Sequence, residues 1–381
     1  MPPDPESSPV VLQVLPSLVT GGVERSTIEI TQAVAEAEGV ALVASAGGPL
    51  TIAVQRAGGR HFTLPLDAKD PWRIWRNAAR LTALIRAENV AVVHARSRAP
   101  AWAAWLACRR TGAHFVTTHH GTYSESLPFK RRYNAVMARG EIVIAASHYI
   151  AALVRDRYGV AAERIRVIPR GVDSSVFDPG AVSGERIAKL ARQWRLPDGV
   201  PTVMLPGRLT AWKGQAVLLE AVARLQRRDV CCVLVGSDQG RYRYTAELLR
   251  RARRLGIAER LRLAGQCDDM PAALMLSDVV VHASTQAEAF GRVVIEAQAM
   301  GRPVVAADLG GPVETVDHGI TGWRVKPGDP LALAAAIDQA LALGPDARRW
   351  LGARARASVP TVRAMQEATL DVYEAVIGAE A

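Results

Sequence analysis

Aromatic side chains make up only 5% of this 381-residue sequence, and there are just four cysteines. The cysteines, Cys108, Cys231, Cys232 and Cys267, show no CxxC pair and no metal-ligand spacing, and two of them are adjacent inside an apolar, strand-like run. That pattern excludes a disulfide scaffold and a structural zinc site, and reads as reduced core thiols. Long apolar runs are missing too. The longest, Ala99 to Cys108, stops at Arg109, well short of the roughly 18 residues that a membrane-spanning helix requires. Internal repeats and low-complexity tracts are absent, which removes solenoids and fibres. Met1 to Pro9 carries Asp4 and Glu6 and no basic residue, so no export signal is expected and the chain is expected in the cytoplasm.

What is present is a chain 49% apolar and 22% charged, which excludes disorder, and longer than one hydrophobic core holds comfortably. Two domains are expected. The net charge of +10 is concentrated in the first half: residues 1–170 hold 21 Lys and Arg against 13 Asp and Glu, whereas residues 171–381 hold 26 against 24. A basic half suits nucleic acid, an anionic membrane surface or a phosphorylated substrate, and charge alone does not choose.

The order of elements narrows the fold. Val10–Leu15 reads as a strand, followed by Thr20, Gly21 and Gly22 and a helix from Glu24 to Glu36, the opening unit of a parallel α/β sheet. Alternation continues through strands at Val40–Ala44, Val90–His94 and Phe115–Thr118, with helices at Trp72–Arg86 and Ala99–Arg109. A second series follows: strands at Val203–Pro206, Val230–Val235, Leu261–Ala264, Val279–His282 and Pro303–Ala306, with helices at Gln215–Leu225, Tyr244–Leu255 and Val293–Met300. Between the two series, Ile168–Gly180 contains Pro169, Gly171, Asp173, Asp178 and Pro179, the composition of a connection. The fold class expected is α/β, with two doubly wound Rossmann-like domains facing a cleft: residues 1–170, and residues 171–361. The tail 362–381 has helical apolar spacing and is expected to pack back on the first domain. Ligands of such sheets bind beyond the carboxyl ends of the strands.

The strongest chemical signal is a pair of glutamates, Glu288 and Glu296, with Gly291 between them and a helix beginning just after it. Gly291 permits a tight turn, and the helix start offers unpaired N–H groups and a positive dipole end to a phosphate. Glu288 then belongs to a loop facing the cleft, and Glu296, about a turn into the helix, is placed to accept hydrogen bonds from a ribose diol. Taken alone, the pair reads first as a loop glutamate and a solvated helix glutamate. It is not alone, because Arg208 and Lys213 follow directly on the first strand of the second series. Two cations there are suited to a diphosphate and to the charge that grows on it as it leaves.

On these residues the chain resembles a family 4 glycosyltransferase, a retaining, nucleotide-sugar-dependent enzyme of the GT-B type, and in particular the bacterial lipopolysaccharide and lipid-linked sugar transferases. The resemblance spans nearly the whole chain and is densest from Arg208 to Gly322. It includes Gly265 to Met270, Ser277 to Val279, Glu296 to Gly301, Pro303 to Ala306, Gly310 to Glu314 and Gly319 to Gly322. It implies that Arg208 and Lys213 bind the donor diphosphate, that Glu296 binds the ribose and that Glu288 lies beside the transferred sugar. In the first half it matches Gly21 and Gly22 to an acceptor-side glycine turn. It matches His120, which Gly121 follows, to an active-site histidine near the donor sugar, with a positioning and electrostatic role rather than that of a proven base. The base pocket near Gly265 and Gln266 is expected to use backbone groups, so UDP and GDP are not distinguished.

No metal cofactor is expected, since no DxD-type pair follows a strand and Asp268 with Asp269 reads as a helix start before Met270 and Pro271. The basic excess gathers in two clusters: Arg73, Arg76 and Arg80 beside Trp72 and Trp75, and Phe129 to Tyr133 shortly after His120. Arginine beside aromatic residues suits an anionic membrane interface, although a solvated helix face explains the first cluster equally well. The expected activity is therefore transfer of a sugar from a nucleoside diphosphate donor to a lipid-linked or polysaccharide acceptor, by a protein peripheral to the inner membrane face, with no nucleic-acid partner. The alternatives are a nucleotide-sugar epimerase of similar fold and a non-enzymatic basic polyanion-binding protein.

Overall fold

The structure, a computed structural model, describes residues 9–19, 21–123 and 128–379. The chain separates into two compact units, residues 1–169 with 362–381, and residues 170–361. In the first unit seven strands form one parallel sheet: β1 Val10–Val14, β2 Val40–Ser45, β3 Arg60–Thr63, β4 Val92–Ala95, β5 His114–His119, β6 Ile142–Ala145 and β7 Ile165–Val167. Their spatial order is β3-β2-β1-β4-β5-β6-β7. The second unit carries β8 Thr202–Pro206, β9 Cys231–Val235, β10 Leu261–Gly265, β11 Val279–His282, β12 Val304–Ala307 and β13 Trp323–Val325, in the order β10-β9-β8-β11-β12-β13. Both sheets reverse direction of growth beside their first strand, which opens a crevice at the strand carboxyl ends.

The apolar runs read as strands because both faces of each sheet are covered. Successive side chains point to opposite faces, so a strand buried on both must be apolar throughout. In β1, Leu12 and Val14 pack with Ile74, Ala78 and Leu81 of the helix Pro71–Ala87, while Val11 packs with Ile30 and Val34 of the helix Gly22–Glu36. In the second unit Val203 and Leu205 join Leu218 and Ile337 on one side, and Met204 joins Leu190 and Trp194 on the other. Each fully buried Leu, Ile or Val side chain contributes about 1.5–3 kcal/mol. Cys231 and Cys232 lie within β9 on opposite faces, and all four cysteines are free thiols.

The C-terminal helix Val362–Gly378 buries Met365, Thr369, Val372, Tyr373 and Val376, a stripe at helical spacing, in the core of the first unit. Tyr373 also completes a buried polar chain. Its hydroxyl lies 2.6 Å from His94 Nδ1, and His94 Nε2 lies 2.6 Å from Thr118 Oγ1. Beside them Arg96, almost wholly buried, donates from Nε to Gln13 Oε1 at 2.7 Å and from Nη1 to Ser26 Oγ at 2.8 Å. Where the chain enters and leaves the second unit, the Val172 N–H donates to the Pro360 carbonyl at 2.9 Å. The strands that composition does not announce are β3, β7 and β13, each of three or four residues with a polar or charged member, and β6, whose short apolar run has no period of its own.

Candidate active site

In the second unit β8 ends at Pro206, and the turn that follows carries Arg208 and Lys213. Gly214 closes that turn with φ of +75°, and a Cβ there would lie 1.8 Å from the Ala283 carbonyl oxygen, so only glycine lets the turn press against the end of β11. This close approach brings Lys213 to Glu288. Lys213 Nζ donates to Glu288 Oε1 at 2.7 Å, His282 Nε2 donates to the same oxygen at 2.7 Å, and the Ser284 hydroxyl donates to it as well. Because a carboxylate only accepts, the His282 Nε2 must carry its hydrogen.

The cluster is largely shielded, with side-chain exposures of 13% for Lys213, 14% for Glu288 and 4% for His282. Burial by itself would raise the Glu288 carboxyl. The hydrogen bond and charge of His282, then the charge and hydrogen bond of Lys213, outweigh it and hold the group well below the usual carboxylate range. Glu288 is thus a fixed anion. Its backbone is also held, as the Gly311 N–H donates to its carbonyl at 2.9 Å.

Gly291 caps the helix Arg292–Ala299 in the left-handed region, φ of +81°, and a Cβ there would meet Pro312 Cγ at 2.6 Å. Glu296 lies one turn into this helix and is buried, with Arg292 Nε 3.6 Å from its Oε1. It is not a solvated helix glutamate. Arg208 is exposed and forms no ion pair among the described residues. Asp269 caps the helix Met270–Met275 by accepting from the Ala272 N–H at 3.1 Å, and both its oxygens are gripped by Arg186.

In the first unit the two adjacent histidines part. His119 is the last residue of β5 and is wholly buried, its ring 4.6 Å from that of Tyr123, whereas His120 follows the strand and is partly exposed. Burial, reinforced by the charges of Arg98 and Arg157, pulls the His119 pKa down to about 4. The imidazole is therefore neutral at physiological pH. Gly21 caps the helix Gly22–Glu36 in an extended conformation, and the Glu24 carboxylate lies close over it, where a Cβ would come within 2.5 Å of Oε2. Thr20 lies outside the described residues.

The basic clusters also take shape. Trp72 and Trp75 stack at 5.4 Å on an exposed helix face. The helix Pro128–Asn134 presents an exposed Phe129, and the Tyr133 carbonyl accepts from Trp102 Nε1 at 3.0 Å. Arg139 stands 4.2 Å over Trp105.

Two family models match the chain: Glycosyltransferase Family 4 over residues 20–176 and Glycosyl transferases group 1 over residues 187–357. A D-inositol 3-phosphate glycosyltransferase from Xylanimonas cellulosilytica is 33% identical over 306 residues, 74% of this chain and 71% of that protein. The chain belongs to glycosyltransferase family 4. Its fold is GT-B, built of two Rossmann-like units. A glycosyltransferase structure from Rickettsia africae matches with a TM-score of 0.90 at 34% identity, covering 97% of this chain and 99% of that one. The Anabaena HepE protein, solved in complex with UDP and glucose, matches with a TM-score of 0.84 at 26% identity, covering 96% and 99%. Across the curated relatives compared, the aligned part spans between 55% and 71% of their length.

Within this family 4 enzyme, the structure joins Lys213 to Glu288 but leaves Arg208 apart, where spacing alone suggested a cation pair and a separate carboxylate. Sequence reasoning did not single out His282 or Ser284. The available signal was a histidine at the carboxyl end of a parallel strand, here β11.

Proposed function

We propose that this glycosyltransferase moves a sugar, with retention of anomeric configuration, from a nucleoside diphosphate donor to a lipid-linked or lipopolysaccharide-type acceptor. The observation that carries the reading is Lys213 held on the fixed anion Glu288 at the carboxyl edge of a parallel sheet, with the exposed Arg208 on the same turn. Arg208 and Lys213 bind the donor diphosphate and stabilise its charge as the glycosidic bond breaks, the work a divalent cation would otherwise do. The N-terminal turn of the Gly291-capped helix adds backbone N–H groups. Glu296 accepts hydrogen bonds from the ribose, Glu288 orients the transferred sugar, His120 acts near the donor sugar as a positioning and electrostatic group, and Gly21 and Gly22 serve the acceptor side. In retaining transfer on one face, the leaving phosphate oxygen takes the proton of the attacking acceptor hydroxyl. The HepE complex with UDP and glucose supports a donor of this chemistry.

Assay of donor hydrolysis and transfer over a panel of UDP- and GDP-sugars tests the reading. Glu296→Gln removes a charged hydrogen-bond acceptor, and the expected result is about 10- to 100-fold weaker binding of the nucleoside diphosphate. Calorimetry showing unchanged affinity would remove the ribose role.

The acceptor reading rests on Lys130, Arg131 and Arg132 beside the exposed Phe129, with Trp72 and Trp75 exposed in the same unit. No helix among the described residues is long and apolar enough to cross a membrane. Docking through this basic and aromatic face is electrostatic and interfacial. Replacing the three basic residues by serine is expected to weaken binding to anionic vesicles by about 100-fold, at about 1 kcal/mol per basic residue, while nucleotide binding holds. A second reading, a soluble phosphorylated polyol as acceptor, is favoured by the name of the Xylanimonas relative. Vesicle binding that ignores lipid charge and the triple substitution would select it.

A further inference from the structure

A cavity of about 670 Å³ opens in the second unit on the turn that carries Arg208 and Lys213, lined by Thr210, Trp212, Arg241, Tyr242, Arg243 and Tyr244. Its size falls within the range of about 300–1,000 Å³ typical of small-molecule sites. No carboxylate lines it. Three features are left unexplained by the donor site. Tyr242 is 76% exposed, an aromatic ring presented to solvent. Arg243 is exposed and has no ion pair among the described residues. The Thr210 hydroxyl is buried without a hydrogen-bond partner, although the residue as a whole is only 8% exposed. A buried polar group left unpaired costs about 1–3 kcal/mol.

We propose that this cavity is a saccharide subsite, adjoining the donor site, that takes a sugar ring bearing a phosphate or carboxylate group. Indole and phenol faces offer flat apolar surface to the C–H face of a sugar ring. A guanidinium fork matches the oxygens of phosphate or carboxylate in a bidentate manner. Arg241 is already oriented by the Asp238 carbonyl at 3.1 Å and Gln239 Oε1 at 2.9 Å, so Arg243 is the cation left to the ligand. The aromatic wall is anchored as well. The Tyr244 hydroxyl donates to Gln215 Oε1 at 3.1 Å, and the Trp212 carbonyl accepts from the Thr285 N–H at 2.8 Å. The other polar groups of the lining are the Tyr242 and Tyr244 hydroxyls and the Trp212 indole N–H, which suit a hydroxyl-rich ring. A nucleobase edge is read by fixed amides or backbone pairs.

The proposal does not depend on sugar transfer, because glucose 6-phosphate reports this cavity and UDP reports the donor site. Binding of both to the full chain is measured by calorimetry and by ligand-observed NMR, with Tyr242→Ala and Arg243→Ser as variants at exposed positions. Glucose 6-phosphate is expected to bind, its ring protons to show contact with the protein, and each variant to weaken it by about tenfold, while UDP affinity stays within about twofold. A phosphorylated core oligosaccharide that binds more tightly than glucose 6-phosphate would mark the cavity as an acceptor subsite. The reverse order would mark a site for free sugar phosphates. The proposal is overturned if the wild-type chain does not bind glucose 6-phosphate, if inorganic phosphate binds as tightly, if the variants bind it unchanged, or if UDP affinity falls in parallel.

Discussion

Lys213→Ala and Glu288→Gln are both expected to slow transfer by about 10²- to 10³-fold, the cost of removing one group that stabilises developing charge, but to differ in nucleotide binding. Lys213 is paired with Glu288 at 2.7 Å, so a donor diphosphate shares its ammonium with a carboxylate. Removing the lysine removes the cation, and UDP affinity falls with kcat/KM. Removing only the charge of Glu288 releases the lysine, so UDP binds at least as tightly as before. The sugar then loses the anion that His282 and Ser284 hold in place, and kcat falls. Initial rates against donor concentration, with calorimetric titration of UDP, read both quantities. If Glu288→Gln weakened UDP as much as Lys213→Ala, the carboxylate would be part of the nucleotide site, and the division of roles would fail.

Stability is expected to fall by about 3 kcal/mol between pH 6.5 and pH 4 through His119 alone, the free energy corresponding to a pKa lowered from 6.5 to about 4. The unfolded chain binds a proton on this residue below pH 6.5, and the folded chain does so only near pH 4. The contribution is therefore fully present above pH 6.5 and drains away as the pH falls through that window. The cause is burial first, with Arg98 and Arg157 adding like charge. His119→Phe keeps a ring beside Tyr123 and has nothing to titrate, so its unfolding free energy should lose that part of the slope. Urea unfolding at several pH values from 7.5 to 4 measures it. Identical slopes for the wild type and the variant would show that His119 does not couple protonation to folding.

Much of the first-order architecture was open to reading because parallel strands covered on both faces must be apolar throughout. Leu12 and Val14 serve one face and Val11 the other, so Val10–Val14 is unmistakable, as is Cys231–Val235. The positions of Arg208 and Lys213 just past a strand end were legible for the same reason. Short polar-bearing strands such as Arg60–Thr63 were not, since three or four residues carry too little pattern.

By itself, then, the sequence determined the α/β class, the two series of strands and the residues that stand at strand carboxyl ends, because those follow from local pattern and chain order. Only the tertiary structure decided which of them meet. Lys213 and Glu288 are 75 residues apart, and they touch because Gly214 lets one turn press on the end of β11. His282 became part of that cluster, and Arg208 stayed outside it. His119 and His120 are neighbours in sequence, yet the pleat and the end of β5 bury one and leave the other partly exposed. Contact, burial and charge environment arise from packing between distant segments, and no local period encodes them.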